Sequence, residues 1–513
     1  MQHIAQANRH QVDFSSLDCR ISANNPVRFI DAFVDKLDLP QLQFEVTNIN
    51  TEGRPSFDRK LFLKVYIYGY INGIRSSRKL ERECMRNVEM QWLCGNLVPN
   101  YHSIADFRKD NSQALRNTFK LFVQFLSDCD LLGKELIAID GTKSRAHNSK
   151  KNNYNPKKIE RHLTYIENKV NEYITQLDAC DANEQELKID DIAHKIEKLK
   201  ASKINYEALQ KELAQSGQPQ ISTTDADARA LLIQGQVVEV SYNTQAAVDE
   251  KHKLVVATHT INRNDRNALT DIAKEAKQNM EVETYTVIVD KGYHNGRQIQ
   301  QTTQAGITTI VAPPEIVNSN EHGTTPDYVV TKFVYDESTD TYTCPQGATL
   351  TTTGTWHRKS RERDTYQFKK YRTPKCKTCP AKHLCTGRAK GGREIERSEF
   401  AAEVEANNAR YHNNKELYRK RQEINEHIFG TIKRVWGYYY TNLKGLIKVN
   451  GEWSLIMTVY NLKRTINILG IQPLLQKLKN WKPDYKRIPR LQSKTTALHQ
   501  FLRIQFYEYS VAA

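Results

Sequence analysis

The chain has 513 residues, 39% of them hydrophobic, and its 75 Lys plus Arg against 59 Asp plus Glu give a net charge of +16. That length can bury a large core and suggests about three or four domains, while the positive balance is the footprint of a polyanion binder more than of a small-molecule enzyme. No stretch approaches ~18 uninterrupted apolar residues, the start Met1-Gln-His-Ile-Ala-Gln lacks a signal-type apolar run, and nine irregularly spaced cysteines make no secreted disulfide framework, so a cytoplasmic protein with mostly reduced thiols is expected.

Residues 1–133 read as short helices with Ser, Asn and Pro punctuation. Ser56 is a candidate N-cap for a helix carrying Leu61, Leu63, Val65 and Ile67; a second helix begins near Ser76-Ser77 with Leu80, Cys84 and Val88 at spacing four; a third begins at Ser103. Short helices joined by tight turns suit a DNA-reading domain. Residues 134–158 hold a strand, Leu136-Ile-Ala-Ile-Asp140, and a basic connection. Over 159–216, Leu163, Ile166, Val170, Ile174 and Leu177 recur at helical spacing, Asp181-Ala-Asn breaks the pattern, and Ile189, Ile192, Ile196 and Leu199 resume it, which predicts a helical hairpin.

Residues 217–315 read as a β-hairpin (Val237–Val248 and Leu254–Ile261, turning at Asp249–Lys253), a helix over Asn267–Met280, and strands Tyr285–Asp290 and Ile307–Ala312. Residues 316–410 form a small Cys-containing, β-rich insertion; 411–470 hold a Glu-bearing helix and the helix after it; 471–513 are a basic C-terminal segment. Strand, hairpin, helix, strand, strand and Glu-bearing helix is the order of an α/β fold with a ribonuclease-H-like mixed sheet, here with two insertions.

Asp140 and Asp290 each close an apolar, β-branched run, and Glu426 lies in the basic, helix-compatible run Tyr418–Lys433. Carboxylates gathered from two strands and a helix repel one another unless divalent cations or protons compensate them. Oxygen ligands favour magnesium or manganese, and two such ions can drive an in-line phosphodiester displacement. Each residue alone reads more simply, Asp140 and Asp290 as turn formers and Glu426 as a solvated helix residue; the weight lies in their joint order. Asn243 and Gln245 read as structural hydrogen-bonders, and Asp225, Asp227 and Arg229 as an ion-paired loop.

These residues resemble the DDE transposases of bacterial insertion sequences, and within them the branch numbered eleven eighty-two. Ser77-Arg78-Lys-Leu80-Glu81, Trp92-Leu93 and Phe107-Arg108 are similar to its N-terminal domain; Asp140-Gly-Thr-Lys143, Asp225-Ala-Asp227-Ala-Arg229, Tyr242-Asn243-Thr-Gln245 and Asp290-Lys-Gly-Tyr293 are similar to successive catalytic blocks. The resemblance implies an enzyme that binds the terminal inverted repeats of its element, cleaves there with two magnesium or manganese ions on Asp140, Asp290 and Glu426, and joins the 3′-hydroxyl to target DNA as a homodimer in the synaptic complex, with no membrane involved. Tyr418, Arg421 and Lys433 match the family's last block, and Lys143 and Lys291 flank the aspartates as further DNA contacts. Glu426 and Lys433 are seven residues apart, two α-helical turns on one face. Four residues separate Arg421 from Glu426 where many relatives have three, which turns Arg421 by about 100° and leaves its role open. Glu423 competes for the third carboxylate but has Gly430, not a cation, seven residues on. A repressor that binds ends without cutting, or a general nuclease of the same fold, are the competing classes.

Cys344, Cys376, Cys379 and Cys385 form a second constellation. Cys376-Lys-Thr-Cys379 has zinc-knuckle spacing, Cys385 follows closely, Cys344-Pro-Gln-Gly is a distant fourth ligand with His383 as a substitute, and Lys375, Lys377 and Lys382 favour thiolates. Zinc here is weighed against a reduced, metal-free cluster. Cys19, Cys84, Cys94, Cys129 and Cys180 read as buried small hydrophobes.

Overall fold

The computed structural model describes residues 10, 12, 14–45, 56–181, 186–233, 237–314, 324–361, 364–388 and 390–488. Six helices come first: α1 (Pro26–Lys36), α2 (Arg59–Ile71), α3 (Ser77–Arg86), α4 (Val88–Cys94), α5 (Tyr101–Asp110) and α6 (Ser112–Asp128). Asn25, Asn87 and Asn100 cap α1, α4 and α5 by accepting first-turn amides. Asp58, not Ser56, caps α2, because its carboxylate sits next to the first turn and accepts the Lys60 amide. Asn87 ends α3 and caps α4, so the Leu80, Cys84, Val88 spacing crosses a helix boundary.

Strand β1 runs over Leu136–Arg145, five residues past its expected end at Asp140. Helices α7 (Pro156–Asp181) and α8 (Glu186–Ser216) lie between the short strands β2 (Asn153–Tyr154) and β3 (Ile221–Ser222), which pair with each other. Strands β4 (Arg229–Ile233), β5 (Val237–Asp249) and β6 (Val255–Ile261) follow, then α9 (Leu269–Met280), β7 (Tyr285–Val289), α10 (Gly296–Gln304) and β8 (Ile307–Val311). Two small sheets come next, β9 (Val334–Asp336), β10 (Thr341–Thr343) and β11 (Thr349–Leu350), and β12 (His357–Arg361), β13 (Asp364–Tyr371) and β14 (Ile395–Ser398), with the one-turn helix α11 (Lys382–Cys385) before β14. Helices α12 (Ala401–Asn413), α13 (Lys415–Phe429), α14 (Leu446–Leu469) and α15 (Ile471–Asn480) follow, with a π-helical stretch Gly430–Val435 directly after α13.

Two compact units result, the first from residues 1–133, 141–264 and 425–513, the second from 134–140 and 265–424. In the first, α14 is buried along most of its length against α6 and β6. The close approach is set at Gly451, where an added Cβ would lie 2.6 Å from the Ser112 Cα and carbonyl oxygen. β5 pairs antiparallel with β4 and β6 and also neighbours β1. In the second unit, β1, β7 and β8 pair in parallel, with α10 and α12 against β8. Asparagines act as strand substitutes at two places: Asn407 bonds both the N–H and C=O of Val311, and Asn461 does the same for Val255.

The small sheets share a core of Phe333, Tyr342, Leu350, Tyr371 and Ile395. Among the described residues no helix is long and apolar enough to cross a membrane.

Candidate catalytic site

The second unit brings two of the expected carboxylates together. β1 and β7 pair with Leu136 opposite Thr286, Ile137 opposite Val287 and Ala138 opposite Ile288, and Asp140 and Asp290 each follow two residues beyond the last of these pairs. Both carboxylates act on the buried Tyr293 phenol, which places them in one neighbourhood. Asp140 is not a strand terminus: β1 continues beyond it, while β7 stops at Val289. Asp290 keeps extended backbone (φ −78°, ψ 176°), and its Oδ1 accepts the Gly292 amide at 2.8 Å. Gly292 permits this turn, since a Cβ there would meet that oxygen at 2.9 Å.

Helix α13 presents Arg421 to this pair. Arg421 Nη1 lies 3.4 Å from Asp140 Oδ2, with the side chains 21% and 31% exposed. The three-residue spacing on the helix puts the Tyr418 ring beneath the guanidinium, 5.8 Å from its centroid. Burial raises the Tyr418 phenol's pKa, Arg421 opposes that and Asp290 adds to it.

Tyr293, fully buried just after Asp290, has a role the sequence motif does not assign: burial drives its pKa well up, the charges of Asp265, Asp140 and Asp290 add to that, and Arg421 opposes. Tyr293 and Asp265 thus share the electrostatic neighbourhood of both aspartates. The Asp290-Lys-Gly-Tyr293 block was the signal for the tyrosine; no sequence signal marked Asp265.

Glu426 lies further along α13, exposed and within the first unit. The expectation that Lys433 follows it two α-turns later on one face is corrected: the α-helix ends at Phe429 and Lys433 sits in the π-helical stretch, whose wider turns shift that face. Lys433 Nζ donates to the Lys143 carbonyl at 2.7 Å. Burial, helped by the Lys143 charge, pushes its pKa down to about 8. Lys291 is exposed beside Asp290.

Asp225 and Asp227 bond helix-start amides instead of forming the expected ion-paired loop: Asp225 Oδ1 accepts the Gly445 amide and the Tyr242 hydroxyl, and Asp227 Oδ2 accepts the Leu446 amide, at the N-terminus of α14. Asn243 donates to the Arg263 carbonyl, a structural role.

Cys344, Cys376, Cys379 and Cys385 line one cavity of about 20 Å³ in the second unit. Burial raises the Cys385 pKa, Arg393 opposes, and the other three cysteines raise it further. His383 is not among the cavity's lining residues. Cys84, Cys94 and Cys129 are buried, but Cys19 is exposed, because its turn buries no residue; the side chain of Cys180 lies outside the described residues. Among the described residues no group of three or more His, Cys, Asp or Glu is arranged as around a metal ion.

Two family models match the chain. One, described as "Transposase domain (DUF772)", matches residues 15–110, and one described as "Transposase DDE domain" matches residues 343–466. Tyr418, Arg421, Glu426, Lys433 and the four clustered cysteines fall inside the second match, whereas Asp140 and Asp290 lie outside both. No curated protein and no solved structure matches the chain.

Proposed function

We propose that this chain, which carries both matched domains of a DDE transposase of an insertion sequence, binds the terminal inverted repeats of its own element and catalyses cation-dependent strand cleavage and transfer there. One observation carries the catalytic reading: Asp140 and Asp290 each follow by two residues the last pair of the parallel β1–β7 ladder, Ala138 with Ile288, and the Arg421 guanidinium lies against Asp140. The order of strand, hairpin, helix, strand, strand and Glu-bearing helix supports a ribonuclease-H-like core, and the six helices of residues 26–128 supply the end-reading domain.

The donor set fits magnesium or manganese, since paired carboxylates are hard oxygen ligands that need compensating charge. Asp140 and Asp290 would hold the cations, with Glu426 as the third ligand. Bound there, the cations supply activation of a water or 3′-hydroxyl and stabilisation of the leaving oxygen. The chain's own groups do the positioning. Gly292 fixes the Asp290 carboxylate, Tyr418 stacks against Arg421, and Arg421 and Lys433 offer cationic contacts to phosphate. Lys143 and Lys291 add further contacts along the backbone. A homodimer would pair the two element ends.

The deciding experiment is cleavage of DNA bearing the element's ends, with magnesium, by the wild type and by Asp140→Asn, Asp290→Asn and Glu426→Gln. Wild-type cutting at the ends, abolished in each variant while end binding persists, supports the reading. Near wild-type cleavage by any one variant removes that residue from the ligand set. Binding without cleavage by the wild type makes the protein a silent end binder, and cutting without preference for the ends makes it a general nuclease.

A further inference from the structure

The two small sheets are thin. Their strands run from two to eight residues, and among the described residues their shared core holds five buried side chains with Tyr335, Cys344 and Cys385 packed against them, a small core of the size that a cross-link commonly supplements. The four cysteines stand where a cross-link would act. Cys344 leaves β10, Cys376 and Cys379 come from the Pro374–Lys377 turn and its exit, and Cys385 closes α11. All four line one cavity, and Cys344 and Cys385 also pack on the shared core. The cavity's ~20 Å³ holds about one water-sized sphere, enough for a single ion.

Backbone geometry at two of the cysteines points the same way. Around Cys344 the chain doubles back: the Cys344 N–H donates to the Ala348 carbonyl at 2.9 Å, the Gly347 N–H to the Cys344 carbonyl at 2.8 Å, and the Ala348 N–H to Cys344 Sγ at 3.3 Å. Gly347 makes this possible with φ +73°. The amide holds the Cys344 sulfur at a fixed place on the turn. Against Cys376 the backbone comes close at Gly392, where an added Cβ would lie 2.3 Å from the Cys376 Cβ, so the returning chain clamps that turn. Lys382 and Arg393 in the cavity wall supply the compensating positive charge.

We propose that Cys344, Cys376, Cys379 and Cys385 bind one structural zinc ion that ties the β9–β11 sheet to the segment leading into β14. The proposal stands apart from the transposase reading, since thiolates select zinc where the carboxylates select magnesium. No three of these thiols are already arranged as around an ion, so binding draws the side chains inward. The Pro374–Lys377 turn and α11 bury no residue that would resist this.

The test uses the full chain, purified without chelator or added metal. Elemental analysis should find about one zinc per chain, retained through dialysis against magnesium. After zinc removal, cobalt(II) titration should give intense thiolate-to-cobalt charge-transfer absorption that saturates at one equivalent. Cys376→Ser with Cys379→Ser should lose the zinc and become protease-sensitive between residues 324 and 398. If that variant does not fold, stepwise thiol modification of the wild type by a mercurial should release zinc in proportion to the cysteines blocked. Less than about a tenth of a zinc per chain together with no cobalt charge-transfer band overturns the proposal. So does a thiol count showing that the four cysteines are paired as disulfides.

Discussion

Arg421 Nη1 sits 3.4 Å from Asp140 Oδ2, which fixes the face that α13 turns toward the two aspartates. On a regular α-helix Glu426, five residues on, then stands about 140° round from Arg421. The extra residue before Glu426 leaves Arg421 against Asp140. It has separated the arginine's direction from the glutamate's.

A first prediction follows for Arg421. Because it competes with cations for Asp140, Arg421→Ala should lower the magnesium concentration that gives half-maximal cleavage. Because it also offers charge to the DNA, the same change should cut the maximal rate by roughly tenfold. Arg421→Lys should fall between, keeping the charge without the planar fork. A magnesium titration of end cleavage reads both quantities; superimposable curves for wild type and Arg421→Ala would remove Arg421 from the site.

Gly292 gives a second prediction, one that separates geometry from folding. An alanine Cβ would meet Asp290 Oδ1 at 2.9 Å, and that atom is the far end of a side chain, so the carboxylate gives way before the backbone does. Gly292→Ala should leave the melting temperature within a few degrees while lowering end cleavage by roughly 10–100-fold, the scale set by small misplacements of a catalytic group. A large loss of stability would show that the turn, and not the carboxylate, depends on Gly292.

Lys433 supplies a pH dependence. Its pKa is pushed down to about 8, below an ordinary lysine, so the charged form is disfavoured in the folded chain. Folding stability contributed by this group therefore rises as pH climbs from about 8 toward the unfolded value of ~10.4, while its ability to hold phosphate falls as pH passes through about 8. End binding should weaken between pH 7 and 9, and Lys433→Arg should flatten that profile because arginine stays charged. Equal pH slopes for the two proteins, measured by fluorescence anisotropy, would show that Lys433 does not contact the DNA.

What the sequence disclosed and what it hid divide along sequence distance. β7, β8, the β5–β6 hairpin and α9 were legible because apolar, β-branched or amphipathic runs write their own periodicity, and Asp140 and Asp290 each follow closely on two such runs that pair in parallel. The extension of β1 through Gly141-Thr-Lys-Ser-Arg145 was not, since a polar run becomes a strand only through distant partners; Arg145 bridges to Tyr440. Nor were the partners of Asp225 and Asp227, whose carboxylates cap α14 from 220 and 219 residues away. The π-helical stretch after Phe429 carries no composition that distinguishes it from α-helix, so the seven-residue spacing of Glu426 and Lys433 does not give one face.

A final prediction concerns the ion cluster inside the first unit. Glu452 on α14 is 1% exposed, pairs with Arg75 at 2.7 Å, lies 3.9 Å from Arg108, and accepts the amides of Asn442 and Leu443. Arg75 also lies over the Tyr438 ring, 4.6 Å from its centroid. Burial alone would raise the Glu452 pKa, but Arg75 and Arg108 outweigh it and hold it below the ordinary glutamate value. A carboxylate depressed in the folded state adds stability that is present above the unfolded pKa and is lost as pH falls through the folded one. Acid unfolding should therefore be steeper in the wild type than in Glu452→Gln. At neutral pH that substitution leaves two buried guanidiniums facing a neutral amide, which should cost about 3–5 kcal/mol, the usual result of removing one partner from a buried pair. Urea melts at pH 7 and pH 4 test both statements: a Glu452→Gln midpoint matching the wild type at pH 7 would mean that the tyrosines and amides, not the carboxylate, carry the arginines' burial.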